Sequence, residues 1–128
     1  MTRYLSQEWL DETRAMAGGQ PERPGASARI QYVVTGGPDG HIRYWWRLED
    51  GHLLESALGS SDDPDFTLTL SYEDSVKISR GEFDMNAAFM QGRMKVTGAM
   101  AKLMALLPIT NSSEYKALQA EVRKITEY

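Results

Sequence analysis

Few side chains in this sequence are suited to acid–base or metal chemistry, and those few are scattered. His41 and His52 are the only histidines, and each begins a predicted strand next to a turn. Neither belongs to a motif with the spacing of metal ligands, so we expect surface histidines and no metal site. The loop Asp62–Asp65 offers carboxylate oxygens, but it lacks the spacing of a known calcium-binding loop and is interpreted as a polar turn.

Residue patterns typical of nucleophilic catalysis or of phosphate binding are equally scarce in the sequence. The chain contains no cysteine, which excludes disulfides, thiolate metal sites and a cysteine nucleophile. The segment Gly92–Lys95 places two basic residues after a glycine, yet it lacks the signature of a P-loop. No two acids can be identified as an acid–base pair. The reactive residue types therefore indicate no catalytic site.

Methionines, by contrast, are concentrated in one segment. Four of the chain's seven lie between Ala87 and Pro108, namely Met90, Met94, Met100 and Met104. Methionine is flexible and polarizable, so it fills irregular apolar space and suits a pocket that accepts ligands of variable shape. Two interpretations stay open for this cluster: it packs as ordinary core, or it lines a cavity.

Length and composition are those of an ordinary globular domain. The 128 residues fit one domain, residues 1–128, and 41% of them are hydrophobic. The net charge of −4 argues against general nucleic-acid binding. The N-terminus lacks the apolar core of a signal peptide, and no apolar run is long enough to cross a bilayer. We therefore expect a cytoplasmic protein without stable membrane insertion.

Hydrophobic periodicity predicts one helix followed by four strands. The helix begins after an N-cap at Ser6 and ends near Ala17. The strands are predicted at Ala28–Thr35, His41–Leu48, His52–Leu58 and Phe66–Tyr72. The fourth strand alternates strictly, so it directs Phe66, Leu68 and Leu70 toward the core and Thr67 and Thr69 away from it. Consecutive hairpins indicate an antiparallel meander with one buried face.

A helical period replaces the strand period after Tyr72. A capping box at Ser71–Asp74 begins a helix that continues through Ile78. We expect Asn86 to cap a short helix ending at Gly92, a fifth strand at Arg93–Thr97, and Asn111 or Ser112 to cap the last helix. The helix Ala99–Leu107 is apolar nearly all round, so it is predicted to be largely buried and to stop at Pro108.

The tryptophan-bearing second strand has two different faces. Alternation places Ile42, Tyr44, Trp46 and Leu48 on one face and Arg43, Trp45 and Arg47 on the other. Trp46 is expected to face the interior. Two interpretations stay open for Trp45: an ordinary cover across the strands, with the arginines stacked on it, or an exposed patch for self-association.

Three pieces of the sequence, taken in order, resemble the sterol carrier protein 2 (SCP-2) domain family. They are RYWWRLEDG, FTLTLSYED and ISRGEFDMNAAFMQGRMKVTG, within the region from about Ala28 to Pro108. The third piece is the most specific, because it resembles the family's glycine, short spacer, aromatic-flanked helical turn and Gly-basic-x-basic-x-x-Gly pattern. Here those positions are Gly81, Phe83, Phe89, Gly92, Arg93, Lys95 and Gly98. The family often has aspartate after the last glycine, where this chain has Ala99.

The resemblance implies an α/β (α+β) fold, with a five-stranded, curved, mostly antiparallel sheet and helices packed on one face enclosing an apolar tunnel. It also implies binding or transfer of a lipid such as a sterol, a fatty acid or acyl-coenzyme A, with neither catalysis nor a cofactor. The residues then expected to line the cavity are Trp46, Phe66, Leu68, Phe83, Phe89, Met90, Met94, Met100, Leu103, Met104 and Leu107. Arg93, Lys95 and Lys102 are expected to steer an anionic lipid head group.

Two other functions stay open. One is a homodimeric interaction module with little or no ligand binding, in which Trp45 and the neighbouring arginines form the interface. The other is an enzyme with a small cone-shaped fold such as that of the ketosteroid isomerases, which needs a buried acid or histidine base in its pocket. The residues predicted to face inward are all apolar or tyrosine, which disfavours this enzyme.

Overall fold

The computed structural model describes residues 1–128 and contains a five-stranded sheet, a two-stranded sheet and five α-helices. In chain order the elements are β1 (Thr2–Arg3), α1 (Gln7–Met16), β2 (Ala28–Gly37), β3 (Gly40–Glu49), β4 (His52–Leu58), β5 (Phe66–Ser71), α2 (Tyr72–Ser79), α3 (Met85–Met90), β6 (Lys95–Gly98), α4 (Met100–Thr110), α5 (Ser113–Ile125) and β7 (Thr126–Glu127). A short 3-10 turn, Ala17–Gly19, follows α1. The predicted α/β fold with a five-stranded, mostly antiparallel sheet is confirmed.

The larger sheet has the order β4-β3-β2-β5-β6, so the predicted meander is wrong at its fourth strand. Strand β5 does not pair with β4. It lies on the far side of β2 and runs parallel to it, with Phe66 opposite Ile30. Gln31 holds the connecting loop across the sheet, because its Oε1 accepts from the Ser61 amide (2.7 Å) and its Nε2 donates to the Gly59 carbonyl (3.1 Å). The polar loop that joins β4 to β5 is long enough to cross the two strands between them, β3 and β2.

The predicted alternation along β5 is confirmed. Phe66, Leu68 and Leu70 are buried, whereas Thr67 and Thr69 point to the opposite face and are only partly covered. The helices lie on the apolar face, where α1 contacts β4, α2 contacts β2 and β5, and α4 contacts β5. A single layer of helices therefore covers one side of the sheet.

Helix starts were predicted well where serine caps them. Ser6, Ser71 and Ser112 each accept a hydrogen bond from a backbone amide in the first turn of α1, α2 and α5. The short helix α3 differs from its prediction, because Asp84 caps it instead of Asn86. The Asp84 carboxylate lies directly before the first helical residue and reaches a first-turn amide at 3.0 Å, whereas Asn86 is already inside the helix.

Helix α4 differs from its prediction in both length and burial. It continues through Pro108 to Thr110, since a proline in the last turns removes few hydrogen bonds and Ile109 gains a place in the core. Only one face is covered: Leu103, Leu106 and Ile109 are buried, whereas Met100 and Met104 are 44% and 56% exposed. No further element packs on the outside of α4. The face that carries Met100 and Met104 therefore stays exposed although it is apolar.

The two chain ends meet on the helical side of the sheet. Strand β1 pairs in parallel with β7, and the Trp9 indole N–H donates to the Thr126 hydroxyl (2.9 Å). The Tyr4 hydroxyl lies 2.6 Å from the Ser75 hydroxyl of α2. These contacts hold α1 and α5 side by side over the sheet. No helix has both the length and the apolar character that are needed to cross a membrane.

Candidate ligand-binding cavity

A cavity of about 130 Å³ lies between the inner face of the sheet and the helices α1, α2 and α5. Strands β2 and β3 supply its floor through the inward-facing positions of their alternation. Its wall has 22 residues, among them Tyr4, Trp9, Thr13, Tyr32, Tyr44, Trp46, Tyr115, Leu118 and Val122. The cavity is therefore built from the first helix, the tryptophan-bearing strand and the last helix.

Aromatic rings make the floor of the cavity rigid. Tyr32 and Tyr44 lie opposite each other on β2 and β3, and their rings stack at 4.5 Å with an angle of 5° between the planes. The Trp46 ring meets Tyr32 edge-on at 5.5 Å. On the helical side, Tyr4 and Trp9 pack edge to face at 5.0 Å. Such pairs add stability beyond their buried area, by about 0.5–1.5 kcal/mol each.

Charged groups lie outside the wall. One ion pair joins Arg93 to Asp74, which directly precedes the wall residue Ser75. The guanidinium donates two hydrogen bonds to the buried carboxylate, at 3.0 and 2.9 Å. Nowhere in the chain do three His, Asp or Glu side chains converge as metal ligands would.

Comparison with known families gives one match, over residues 11–110, to the SCP-2 sterol transfer family. The chain belongs to this family. A comparison with curated proteins finds no match. The resemblance inferred from the three sequence pieces is therefore confirmed.

Solved structures with this fold include several SCP-2 proteins. A crystal structure of sterol carrier protein 2 has a TM-score of 0.70 at 12% identity, covering 94% of this chain and 98% of that chain. The palmitated SCP2L2 of Aedes aegypti has a TM-score of 0.64 at 18% identity, covering 84% and 96%. The sterol carrier protein domain 2 of Helicoverpa armigera has a TM-score of 0.54 at 22% identity, covering 97% and 86%. Identities this low show the shared fold alone.

Within this SCP-2 fold, the predicted cavity residues fall into three groups. Trp46 and Met94 are in the wall of the cavity. Phe66, Leu68 and Leu103 are buried in the core beside it, and Phe83, Phe89 and Leu107 pack against that core. Met90, Met100 and Met104 are exposed, Met90 by 84%. The cavity lies mainly under α1, α2 and α5, and α4 adds only Ile109 to its wall, so contact between ligand and the last two groups stays a prediction.

The three predicted head-group residues do not converge on the cavity. Arg93 is engaged with Asp74, and it also lies over the Phe83 ring, 5.6 Å from its centroid. Lys102 donates to the Ser27 carbonyl (3.3 Å), and Lys95 is exposed on the edge strand β6. None of the three lines the wall.

Several wall residues were not singled out by the sequence analysis as cavity residues. Trp9 and Thr13 are four positions apart on one face of α1, which is helical spacing, but a lone threonine in an apolar stripe looks like ordinary core. Tyr115, Leu118 and Val122 lie at helical spacing on one face of α5. The local sequence does not indicate which helix packs over the Tyr32–Trp46 floor, because that packing depends on contacts between residues far apart in sequence.

The alternative of an isomerase requires a buried acid or histidine base, and no Asp, Glu or His side chain is in the wall.

Proposed function

We propose that this SCP-2 family member binds a lipid in the cavity between its sheet and its helices and carries it through water. The observation that supports the proposal is a cavity of about 130 Å³ lined mainly by aromatic and aliphatic side chains. Protein interiors pack to a density of about 0.74, so an apolar space of this size at the centre of the fold points to a ligand site.

The space is smaller than a whole lipid. An engineered apolar cavity of about 150 Å³ holds benzene, so the present cavity accommodates one ring or a few methylene groups. A sterol or a long acyl chain therefore requires part of the wall to move outward. Of the three helices α1, α2 and α5, α5 has the fewest buried residues, because Val122 alone is buried in it. We infer that α5 moves away from the sheet as the ligand enters.

A fatty acyl chain, a sterol and the acyl part of acyl-coenzyme A all fit this proposal. The palmitated SCP2L2 of Aedes aegypti shares the fold, which supports an acyl chain as one ligand. Each methylene group removed from water contributes about 0.8 kcal/mol, so a chain that enters by several methylenes offsets the cost of displacing α5.

The proposal is tested by extracting the purified protein with solvent, identifying the released lipids by mass spectrometry, and measuring displacement of a neutral fluorescent lipid. Leu118→Trp puts a larger ring into the cavity from α5, and we expect it to weaken binding about ten-fold or more. Met104→Trp is the matched control, because Met104 is 56% exposed on α4 and outside the wall, so binding should not change. A folded Leu118→Trp variant with unchanged affinity would contradict the proposed site.

The homodimer alternative rests on the outer face of the sheet. Trp45 is half-buried there, and Arg47 pairs with Glu49 and Glu55 along the same face. Native mass spectrometry separates the two functions: protein that carries lipid supports the proposal, whereas a dimer without lipid supports an interaction module.

A further inference from the structure

No charged side chain lines the cavity. Lys, Arg, His, Asp and Glu are all absent from its wall, although they make up a quarter of the chain. An ionised group placed there loses its hydration without gaining a partner, which is costly. The same surroundings raise the pKa of the Tyr4, Tyr32, Tyr44 and Tyr115 hydroxyls, since burial disfavours the charged phenolate. The cavity is therefore suited to neutral groups.

Three polar atoms of the wall are buried without a hydrogen-bond partner: Thr13 Oγ1, Gln20 Oε1 and Trp46 Nε1. The elements that carry them adjoin, because β4 pairs with β3 and contacts both α1 and the 3-10 turn. Ser56 lies opposite Trp46 on β4, and its hydroxyl is 3.4 Å from the Leu10 carbonyl, one helical turn before Thr13. Gln20 directly follows the 3-10 turn that ends α1. We call these three residues the polar end of the cavity.

The polar end both donates and accepts hydrogen bonds. The Trp46 indole N–H can only donate. Gln20 Nε2 already donates to the Glu114 carbonyl (3.1 Å), which leaves its Oε1 as an acceptor on the cavity side. Thr13, which is only 5% exposed, offers a hydroxyl that does either. A hydroxyl or a primary amide matches this set, whereas a carboxylate accepts only and is repelled by the Gln20 oxygen.

We propose that the cavity selects an uncharged lipid whose hydroxyl or amide group binds Thr13, Gln20 and Trp46, and that it discriminates against an ionised carboxylate. This inference rests on the proposed function and narrows the class of ligand. The bound group would supply the partners that the three polar atoms lack, and leaving such atoms unpaired costs more than an ordinary hydrogen bond contributes.

Two cations lie near this part of the wall. Arg14 Nη1 donates to the Ser56 hydroxyl (2.6 Å), and the second cation is Arg23. It packs against the wall residue Gly51, where a Cβ would lie 3.0 Å from that of Arg23. Its Nη2 donates to the Ser112 hydroxyl (3.0 Å) and lies 3.7 Å from the Glu114 carboxylate, while Nη1 is buried without a partner. A ligand carboxylate that reached Arg23 would compete with Glu114 for its guanidinium. Replacing Arg23 therefore tests the opposite hypothesis, that the cavity binds an ionised carboxylate.

The experiment uses decanol, decanamide and decanoate, which share one apolar tail, with delipidated full-length protein near neutral pH. Binding is measured by displacement of a neutral fluorescent probe and by proton–nitrogen correlation spectra, which report the indole N–H of Trp46. We expect decanol and decanamide to bind about ten-fold or more tightly than decanoate and to shift the Trp46 signal.

Matched variants separate recognition by the protein from simple partitioning of the ligand. Thr13→Val and Trp46→Phe remove one polar atom each, and we expect each to weaken decanol binding by about three- to ten-fold. Thr67→Val and Trp45→Phe make the same changes on the opposite face of the sheet and should leave affinity unchanged. The desolvation cost of the ligand is the same in every variant, so these ratios report hydrogen bonds in the cavity.

Decanoate that binds as tightly as decanol and loses affinity on Arg23→Gln would overturn the inference while leaving the proposed function standing. Equal decanol affinity in Thr13→Val, Trp46→Phe and their controls would also overturn it. If none of the three ligands displaces the probe and no lipid copurifies, both the inference and the proposed function fail.

Discussion

Replacing Gly98 by alanine should separate the short edge strand β6 from β5. Gly98 has a φ of +115°, and a Cβ there would lie 2.6 Å from the Asp65 carbonyl oxygen and 2.7 Å from Phe66 Cα. Both neighbours are backbone atoms of the β5 region, so they cannot rotate aside as a flexible side chain would. Positive φ costs a non-glycine residue about 1–2 kcal/mol, and overpacking adds about 1–3 kcal/mol. We expect a total loss of about 2–5 kcal/mol, a large part of the 5–15 kcal/mol typical of a domain.

Gly92→Ala is the matched control for this prediction. Gly92 has a φ of +73°, but a Cβ there meets nothing within 4 Å, so only the backbone strain of about 1–2 kcal/mol applies. Urea unfolding followed by circular dichroism gives both stabilities, and hydrogen exchange locates the loosened amides in β6 and at the start of α4. Equal stabilities for the two variants would show that the close approach at Gly98 relaxes without cost and that the reasoning is wrong.

Three further predictions follow from the same packing. Trp9→Phe removes the buried hydrogen bond to Thr126 that joins the chain ends, and we expect urea unfolding to show a loss of about 1–3 kcal/mol; an unchanged stability would exclude this contact as an anchor. The pKa of each of the four cavity tyrosines is raised, so the stability they contribute is fully present below about pH 10, the ordinary tyrosine pKa, and is lost as pH rises above it; in a Tyr72→Phe, Tyr128→Phe background, which leaves these four, tyrosinate absorbance should appear with unfolding and not before. Peroxide should oxidise Met90, which is 84% exposed, well before Met94, which is 4% exposed, as peptide mass spectrometry would show; the reverse order would place Met94 outside the wall.

Predictions from local sequence succeeded where a residue and its immediate neighbours determine the outcome. The alternation from Phe66 to Leu70 decided which side chains are buried, because successive residues of a strand point to opposite faces. Ser6 and Ser71 marked helix starts, because a cap uses only amides a few residues away. The pattern ending in Gly92 and Gly98 pointed to the correct family, since positive φ at both positions favours glycine.

Contacts between distant parts of the chain decided the rest. β5 pairs with β2, and Gln31 of β2 binds the loop that leads to it, whereas nothing in the strand itself distinguishes a parallel neighbour from a hairpin partner. Met104 is exposed because no element packs on the outside of α4. The cavity lies mainly under α1, α2 and α5, where Trp9 and Thr126 join the chain ends on the same side of the sheet as the Tyr32–Trp46 floor. The sequence by itself determined the buried face of β5, the serine caps of the helices and the family, since these depend on short-range geometry. Tertiary structure decided where the empty space lies, since a cavity depends on how several elements, each with its own apolar face, meet.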